Sequence, residues 1–220
     1  MLATYGLQRS QRTLPWYADT SNLNRAVTLN GSVSQSNDGA GVRTALFDGT
    51  ASYLRTTPIG LGTGNFTLEL FVNHSSADPN IGVFMNGGDL GLQFGYENTA
   101  SVVYLGLANI VNTIYQSASI NDSWHHIAYV KTGTVGKMYL DGTSIATATD
   151  NNNYPKASID IGAFVAFGAG NGYFKGKMAG LRITSFSVYT SNFSTPTILP
   201  TAIAGTQLLM NFGATAAPTV

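Results

Sequence analysis

Short turns rich in glycine and small polar residues recur along the whole chain, and they constrain its fold more than any other sequence feature. Between them lie runs of β-branched and aromatic residues, many of which alternate with a period of two. No run keeps a helical periodicity for more than about ten residues. The pattern predicts an all-β chain of roughly a dozen short strands. The glycine-bearing turns are Asn30-Gly31, Asp38-Gly39, Asp48-Gly49, Asn86-Gly87-Gly88, Asp141-Gly142 and Asn171-Gly172.

Two segments show the alternation most clearly. In the first, the even-numbered residues from Phe66 to Val72 are predicted to share one face of a strand, and Thr67 to Asn73 the other. In the second, the strand ending at Leu140 is followed by Asp141-Gly142, which suits a two-residue type I′ hairpin turn. So many short strands in 220 residues require two packed sheets. No repeat of fixed period is visible, which argues against a propeller or a solenoid.

The composition supports a sizeable core and an uncharged surface. The chain is 44% hydrophobic and only 10% charged, with a formal net charge of zero, so no electrostatic footprint for nucleic acid or an anionic membrane is present. An uncharged surface is poorly protected against self-association, as in a protein that belongs to a defined assembly. The chain has no cysteine, which excludes disulfides and thiolate metal sites.

The N-terminal region shows no targeting signal. A polar run from Gln8 to Arg12 leaves no room for the apolar core of a signal peptide. No apolar run approaches the roughly 20 residues that a membrane helix needs. We therefore expect a soluble protein without an export signal.

Several segments, in order along the chain, resemble the laminin-G-like, concanavalin A-like family. The match extends from about Tyr17 to Gly213, and Phe71 stands where the family often has Trp. The resemblance implies a jelly-roll sandwich of two antiparallel sheets with the termini close together. The segments are Ala45–Gly49 with Tyr53-Leu54, Gly64–Val72, Trp124–Val130 with Met138–Gly142, Gly172–Gly176 and Gly180–Thr184.

The end of the chain is similar to the versions of this family found in tailed-phage virion proteins. The segments concerned are Tyr189–Phe193, Pro196 and Leu208–Phe212. Family members bind glycans or proteins, often with help from calcium, and some relatives are glycoside hydrolases. The fold alone does not choose among these activities.

The acidic residues argue against hydrolysis. Glycosidases need two carboxylates that flank the scissile bond, and hydrolytic relatives carry them on one strand as Glu-x-Asp-x-x-Glu. Glu69 and Glu97 are the only glutamates, and neither has a second carboxylate within four residues. Glu69 is interpreted as a residue at an edge or on the surface of a sheet. The chain is therefore predicted not to be an enzyme.

The histidines do not predict a metal site. His125 and His126 are adjacent, so on a strand their rings face opposite sides and cannot converge on one metal. His74 is the only other histidine. Trp124, just before the pair, is expected to be largely buried near the start of a core strand.

Calcium is the one cofactor for which the sequence offers candidate ligands. A dense group of oxygen-bearing side chains, Asp150, Asn151, Asn152 and Asn153, lies in a predicted loop, and Asp89, Asp122 and Asp160 are candidates to approach from other loops. The favoured alternative is that these are ordinary turn formers, whose side chains bond their own backbone. No other cofactor is predicted.

Glycan binding would require an exposed aromatic platform. Four tyrosines lie near predicted turns and qualify: Tyr96, Tyr115, Tyr154 and Tyr173. Each is also compatible with half-buried packing in a sheet, which is favoured for any single tyrosine.

The chain is divided into an N-terminal arm or first strand (1–16), the jelly-roll domain (17–213) and a C-terminal tail (214–220). The apolar residues of the first segment lie outside the matched strands and need a cover. We predict that they contact a neighbouring subunit; they are Leu2, Tyr5, Leu7 and Trp16.

These features favour a phage virion protein that decorates or cements the capsid. Its expected partners are capsid or tail proteins of the same virion, which it binds as a homo-oligomer or as part of a lattice. One alternative is a tail fibre or tail accessory protein that binds a host-surface glycan. Another is a calcium-dependent, lectin-like module.

Overall fold

The computed structural model describes residues 14–78, 81–88, 91–108, 111–164 and 172–220, which form fifteen β-strands. The described residues include no helix long and apolar enough to cross a membrane. The strands are β1 Val27–Asn30, β2 Ser34–Asn37, β3 Arg43–Asp48, β4 Tyr53–Thr56, β5 Phe66–His74, β6 Ile81–Asn86, β7 Leu92–Glu97, β8 Val102–Leu107, β9 Val111–Ser117, β10 His125–Thr132, β11 Val135–Leu140, β12 Thr143–Thr149, β13 Asp160–Ile161, β14 Lys175–Thr184 and β15 Thr206–Met210.

The strands form two antiparallel sheets packed face to face. The seven-stranded sheet has the order β1-β4-β13-β6-β7-β8-β9, and the eight-stranded sheet has the order β12-β11-β10-β5-β14-β3-β2, with β15 paired to β14. The predicted all-β, two-sheet jelly-roll sandwich is confirmed.

The core lies between the sheets and follows the period-two pattern of the sequence. In β5, Phe66, Leu68, Leu70 and Val72 all belong to the central cluster, as predicted. In the opposite sheet, the core-facing side chains of β7 are Leu92, Phe94 and Tyr96. In these strands the even-numbered residues therefore face the interior, and the odd-numbered residues face the outer sides of the sandwich.

The predicted hairpin joins β11 to β12. Asp141 and Gly142 have φ values of 50° and 78°, the left-handed pair that a type I′ turn requires. A Cβ atom at Gly142 would lie 1.9 Å from the carbonyl oxygen of Phe193. This turn therefore needs glycine both for its conformation and for the chain that passes over it.

The segment 185–205 covers part of the outer face of the eight-stranded sheet; we call it the 185–205 connection. Tyr189 and Phe193 stack in parallel at 3.7 Å and pack against the outward-facing Ala128, Val130 and Tyr139. This second apolar layer explains why both faces of β10 are buried. The interpretation of Glu69 as an edge or surface residue was wrong, because it lies in the central strand β5 beneath this connection and is 1% exposed.

The two described ends of the chain meet on the same side of the sandwich. Trp16 packs against Tyr17 and Phe212, with ring centroids 5.3 and 6.3 Å away. Near the other end, the amides of Thr215 and Ala216 donate to the carbonyl of Gly41. Residues 17–213 and the tail 214–220 are thus in contact. Leu2, Tyr5 and Leu7 lie outside the described residues, so their predicted subunit contacts stay predictions. Trp16 packs against the jelly-roll domain of the same chain.

Trp124 lies close to where the sequence predicts. It immediately precedes β10, as predicted, but its side chain is half-buried. Its ring does not pack against the central cluster formed by the described residues. Its position near the start of a core strand is as predicted, and its burial is partial because the packing of β10 into the core begins at Ile127.

Candidate functional site

A row of polar residues lies on the outer side of the seven-stranded sheet, and two of them, Asn86 and Asp160, are buried there. Directly paired residues of adjacent strands project from the same face. The row therefore spans five neighbouring strands, a width of roughly 19 Å at the usual strand spacing. The register pairs Thr28 with Arg55, Arg55 with Asp160, Asp160 with Asn86 and Asn86 with Gln93.

Beside this row, a second row brings two tyrosines together. Gly95 of β7 pairs with Tyr104 of β8, which pairs with Tyr115 of β9. A Cβ at Gly95 would lie 2.5 Å from the hydroxyl of Tyr104, so the ring of Tyr104 reaches across the strand at Gly95. Gln93 Nε2 donates to the Tyr104 hydroxyl at 3.3 Å. Tyr104 is consequently largely buried, with only 4% of its surface exposed. It forms the floor of this row, next to Tyr115.

Tyr115 is the exposed member of the pair. Half of its surface, 50%, is accessible to solvent. Its hydroxyl donates a hydrogen bond to Glu97 Oε2, and this bond raises the pKa of Tyr115. The hydroxyl therefore stays protonated, and the ring is anchored at its outer end while half of the residue's surface remains accessible.

The first row also carries an ion pair, which joins the neighbouring strands β4 and β13. Arg55 donates to both carboxylate oxygens of Asp160, at 2.6 and 2.8 Å. The guanidinium also lies 5.3 Å from the ring centroid of Tyr53. Both charges are thus neutralised locally. We define the polar face as five residues of these two rows together with Glu97, the hydrogen-bond partner of Tyr115; the five are Arg55, Gln93, Tyr104, Tyr115 and Asp160.

A different polar group is buried on the opposite side of the sandwich. Glu69 Oε1 accepts from Arg182 Nε at 2.7 Å, and Glu69 Oε2 accepts from the Tyr189 hydroxyl at 2.7 Å. His126 Nε2 lies 3.2 Å from the same Oε2 atom. Arg182 also donates to the carbonyl of Thr201 at 3.0 Å. We call Glu69, His126, Arg182 and Tyr189 the Glu69 cluster; it fixes the 185–205 connection to the sheet.

The Glu69 carboxylate is held in its ionised form. Burial alone would raise its pKa, but the hydrogen bond with His126 and the charge of Arg182 outweigh burial and hold the pKa of Glu69 below its ordinary value. Burial and the charge of Glu69 together raise the pKa of Tyr189. Tyr189 therefore stays protonated and donates, while Glu69 accepts.

The two glutamates cannot act as a pair. Glu69 and Glu97 each lie on the outward side of their strand, since their neighbours Leu68 and Tyr96 belong to the core between the sheets. They therefore project from opposite faces of the sandwich, with two sheets about 10 Å apart between them. That exceeds the 5–9.5 Å, roughly, that glycosidase carboxylates span.

Sequence and structure comparisons agree with this architecture. A laminin G family model, described as the concanavalin A-like lectin/glucanases superfamily, matches residues 48–190, well over half of the chain. The chain belongs to this superfamily. No curated protein sequence matches it.

Solved structures similar to this superfamily member share its fold at low identity. Domain 4 of the arabinanase AbnA from Geobacillus stearothermophilus, in complex with arabinotriose, is 16% identical with a TM-score of 0.58, over 76% of this chain and 84% of that one. A heptameric SAP-like pentraxin from Limulus polyphemus is 16% identical with a TM-score of 0.56, over 87% and 91%. A putative carbohydrate binding protein from Bacteroides ovatus is 14% identical with a TM-score of 0.57, over 89% and 50%, so this chain spans half of that protein.

Two of the clustered calcium candidates, Asp150 and Asn152, form hydrogen bonds within the domain. Asp150 is fully buried, and its Oδ2 accepts from the hydroxyls of Tyr129 and Tyr154. Its Oδ1 accepts from the amide of Asn152 at 3.0 Å, which is the turn-forming bond that the favoured interpretation expects. Asn152 donates to Thr113 at 2.7 Å.

Other candidate calcium ligands have separate roles. Asp160 pairs with Arg55, and Asp122 accepts from the amide of Ser76 at 3.0 Å. Asp89 lies outside the described residues. Across the described ranges, no group of three or more histidine or acidic side chains is placed to hold a metal ion.

The four candidate tyrosines differ in their exposure to solvent. Tyr96 and Tyr154 are buried in the core, Tyr173 is half-buried, and Tyr115 is exposed. Sequence reasoning missed Tyr104, because it lies within the apolar run from Val102 to Leu107. The isolated Gly95 was an available signal, since glycine inside a strand often marks a close approach of another group.

Proposed function

We propose that this domain is a non-catalytic glycan-binding module and that the polar face is its binding surface. The observation that carries the proposal is the pair of tyrosines in register, Tyr104 as a floor and Tyr115 exposed and anchored by Glu97. Glycans present apolar ring faces edged by hydroxyls. Aromatic rings with neighbouring amide and carboxylate groups suit such ligands.

The charges of the polar face favour an uncharged glycan. Arg55, its only cation among the described residues, is already satisfied by both oxygens of Asp160. Glu97 adds one negative charge beside Tyr115. A sulfate or a sugar carboxylate would therefore meet no unpaired positive charge here.

Similarity to carbohydrate-binding proteins supports the same proposal. One similar structure is a domain of an arabinanase in complex with arabinotriose, and another is a putative carbohydrate binding protein. Absence of catalysis is part of the proposal. It rests on the placement of Glu69 and Glu97 on opposite outer faces and on the engagement of both Glu69 oxygens within its own cluster.

Replacing Tyr115 by Ala is expected to weaken binding of a neutral oligosaccharide by about 5–30-fold, which corresponds to ~1–2 kcal/mol for a central aromatic contact. Isothermal titration with a panel of neutral oligosaccharides that includes arabinotriose measures the effect. Tyr115→Phe keeps the ring and should lose less affinity. Val135→Ala, an exposed apolar change on the other sheet, is the control. Equal affinity for Tyr115→Ala and the unmodified protein would exclude this face as the binding surface.

A role in a phage virion, predicted from the resemblance of the C-terminal segments, is a second proposal. In its support, Leu14 and Leu23 near the described N-terminal end are about half exposed, at 50% and 49%, and offer apolar surface to a partner subunit. Deletion of residues 1–13 removes the predicted contact residues Leu2, Tyr5 and Leu7 and should weaken binding to capsids or tails without lowering the melting temperature. A lowered melting temperature would instead assign the segment to the sandwich.

A further inference from the structure

Three polar side chains form a continuous hydrogen-bonded chain at the start of β10. The hydroxyl oxygen of Ser123 lies 2.8 Å from His125 Nε2, and His125 Nδ1 lies 2.8 Å from Asp141 Oδ2. Ser123 is exposed, whereas His125 and Asp141 are half-buried. We call these three residues the Ser123 relay. Serine, histidine and aspartate joined in this order activate a serine nucleophile, and the arrangement is recognised by its geometry rather than by position in the sequence.

The hydrogen bonds of the Ser123 relay run in one direction when the histidine ring is neutral. An ionised carboxylate only accepts hydrogen bonds, so Asp141 holds the proton of His125 on Nδ1. Nε2 is then an acceptor and takes a hydrogen bond from the Ser123 hydroxyl. The carbonyl of Asn121 lies farther from that hydroxyl, at 3.4 Å. His125 is therefore placed as a base for Ser123, and Asp141 orients it.

Neighbouring backbone groups hold the Ser123 relay in place. The amide of His126 donates to Asp141 Oδ1 at 2.8 Å, which fixes the carboxylate beside β10. On the serine side, Asp122 has a φ of 58°, and its amide donates to the carbonyl of His74 at 2.8 Å. Ser123 thus follows a turn residue that is bonded to β5. Because these contacts fix the geometry in advance, little ordering is needed for proton transfer from Ser123.

The exposure of Ser123 selects the class of reactant. At an open position, the oxyanion that forms during attack on a carbonyl is stabilised mainly by water. The reaction therefore needs a good leaving group, as in an activated ester. The seryl oxygen bonds to the carbonyl carbon, the leaving group departs with the electron pair of its bond to that carbon, and the serine proton passes to His125 Nε2. Release of this proton to solvent restores the neutral ring.

We propose that Ser123 is a modification site, whose activated hydroxyl accepts an acyl group from small activated esters. His125 is the general base, and Asp141 is a positioning residue. The reaction modifies the protein once and needs no turnover, so it is compatible with a domain that is not an enzyme. It is independent of the proposed function, because the residues of the polar face lie in the other sheet.

The test is acetylation of the full chain by p-nitrophenyl acetate at about pH 8, where an unperturbed imidazole is neutral. Acid quenching and peptide mass spectrometry then give the rate at each serine. Ser191 is the internal reference, since it is also exposed and its hydroxyl donates to a backbone carbonyl, that of Asn192, at 3.4 Å. We expect Ser123 to be acetylated at least about tenfold faster than Ser191, because a positioned general base usually contributes more than that.

Two variants separate base catalysis from simple exposure. His125→Gln removes the base and should slow acetylation of Ser123 at least about tenfold. Asp141→Asn keeps the hairpin, because Asn-Gly also suits a type I′ turn. Its Oδ1 atom can still accept from the His126 amide, so its NH₂ group faces His125 Nδ1 and moves the ring proton to Nε2. This variant should slow acetylation to a similar extent, and the ¹⁵N chemical shifts of His125 should report the exchanged tautomer.

Three outcomes would overturn the proposal. They are acetylation of Ser123 no faster than that of Ser191, an unchanged rate at Ser123 in His125→Gln, and acetylation of the His125 ring in place of Ser123. The comparison with Ser191 uses the unmodified protein, so it does not depend on the folding of any variant.

Discussion

Replacing Glu69 by Gln is expected to lower the free energy of unfolding by about 3–5 kcal/mol, the usual result of removing one partner of a buried ion pair. The variant leaves the Arg182 guanidinium buried without its counter-charge. It also weakens the acceptor for Tyr189, whose hydroxyl lies 2.7 Å from Glu69. Urea unfolding followed by tryptophan fluorescence measures the loss.

Glu97→Gln is the matched control for this change. Glu97 lies on the opposite outer face, and its carboxylate accepts from the hydroxyls of Thr99 and Tyr115. We expect a change within about 0.5 kcal/mol, as for an ordinary surface substitution. Equal stability of the two glutamine variants would show that the Glu69 cluster does not hold the 185–205 connection in place.

The contribution of Glu69 should also depend on pH in a defined direction. Its pKa is lower in the folded protein than the ordinary value of 4.5, so the unfolded chain takes up a proton first as the pH falls. The stabilisation is therefore complete above about pH 5 and is lost as the pH drops below 4.5 and through the folded pKa. The difference in unfolding free energy between the wild type and Glu69→Gln should shrink over that range, and a difference that grows instead would contradict the assignment.

Replacing Asp150 by Ala is expected to lower the free energy of unfolding by about 3–5 kcal/mol, because it too removes a buried carboxylate from its partners. The hydroxyls of Tyr129 and Tyr154 would lose their shared acceptor. Lys131, which is buried and donates to the carbonyls of Gly133 and Asp150, would lose the nearby negative charge. Thermal or urea unfolding measures the loss, and Asn151→Ala, at the exposed neighbouring position, should be close to neutral.

The same variant distinguishes a structural Asp150 from a calcium ligand. A ligand that binds only the folded state raises stability with its concentration. We expect millimolar calcium to leave the unfolding midpoint of the wild type unchanged. A calcium-dependent rise that disappears in Asp150→Ala would show that the carboxylate exchanges its tyrosine partners for the ion.

Local patterns in the sequence were sufficient to predict the sandwich. The alternation in β5 identified its core face, and Asp141-Gly142 identified the hairpin between β11 and β12, because both depend on neighbouring residues. The burial of Glu69 was not predictable in the same way. Its partners Arg182 and Tyr189 lie 113 and 120 residues away, and the 185–205 connection that covers it has no periodic pattern.

The candidate site was predicted only in part. Tyr115 was among four candidate tyrosines, but exposure depends on which face of a sheet remains uncovered, and alternation alone does not determine this. Asp160 was considered as a calcium ligand, whereas the register of three strands places it beside Arg55, 105 residues away along the chain. Pairing between distant strands, rather than local propensity, assembled the polar face.

Mapping a bound neutral oligosaccharide by amide chemical shifts tests the central claim most directly. With a glycan that saturates the full chain, such as arabinotriose or a better ligand from the panel, we expect the largest shifts to cluster at Gln93, Tyr104 and Tyr115 in the seven-stranded sheet. Shifts confined to the eight-stranded sheet, or no saturable shift with any neutral glycan, would contradict the assignment of the polar face as a glycan-binding surface.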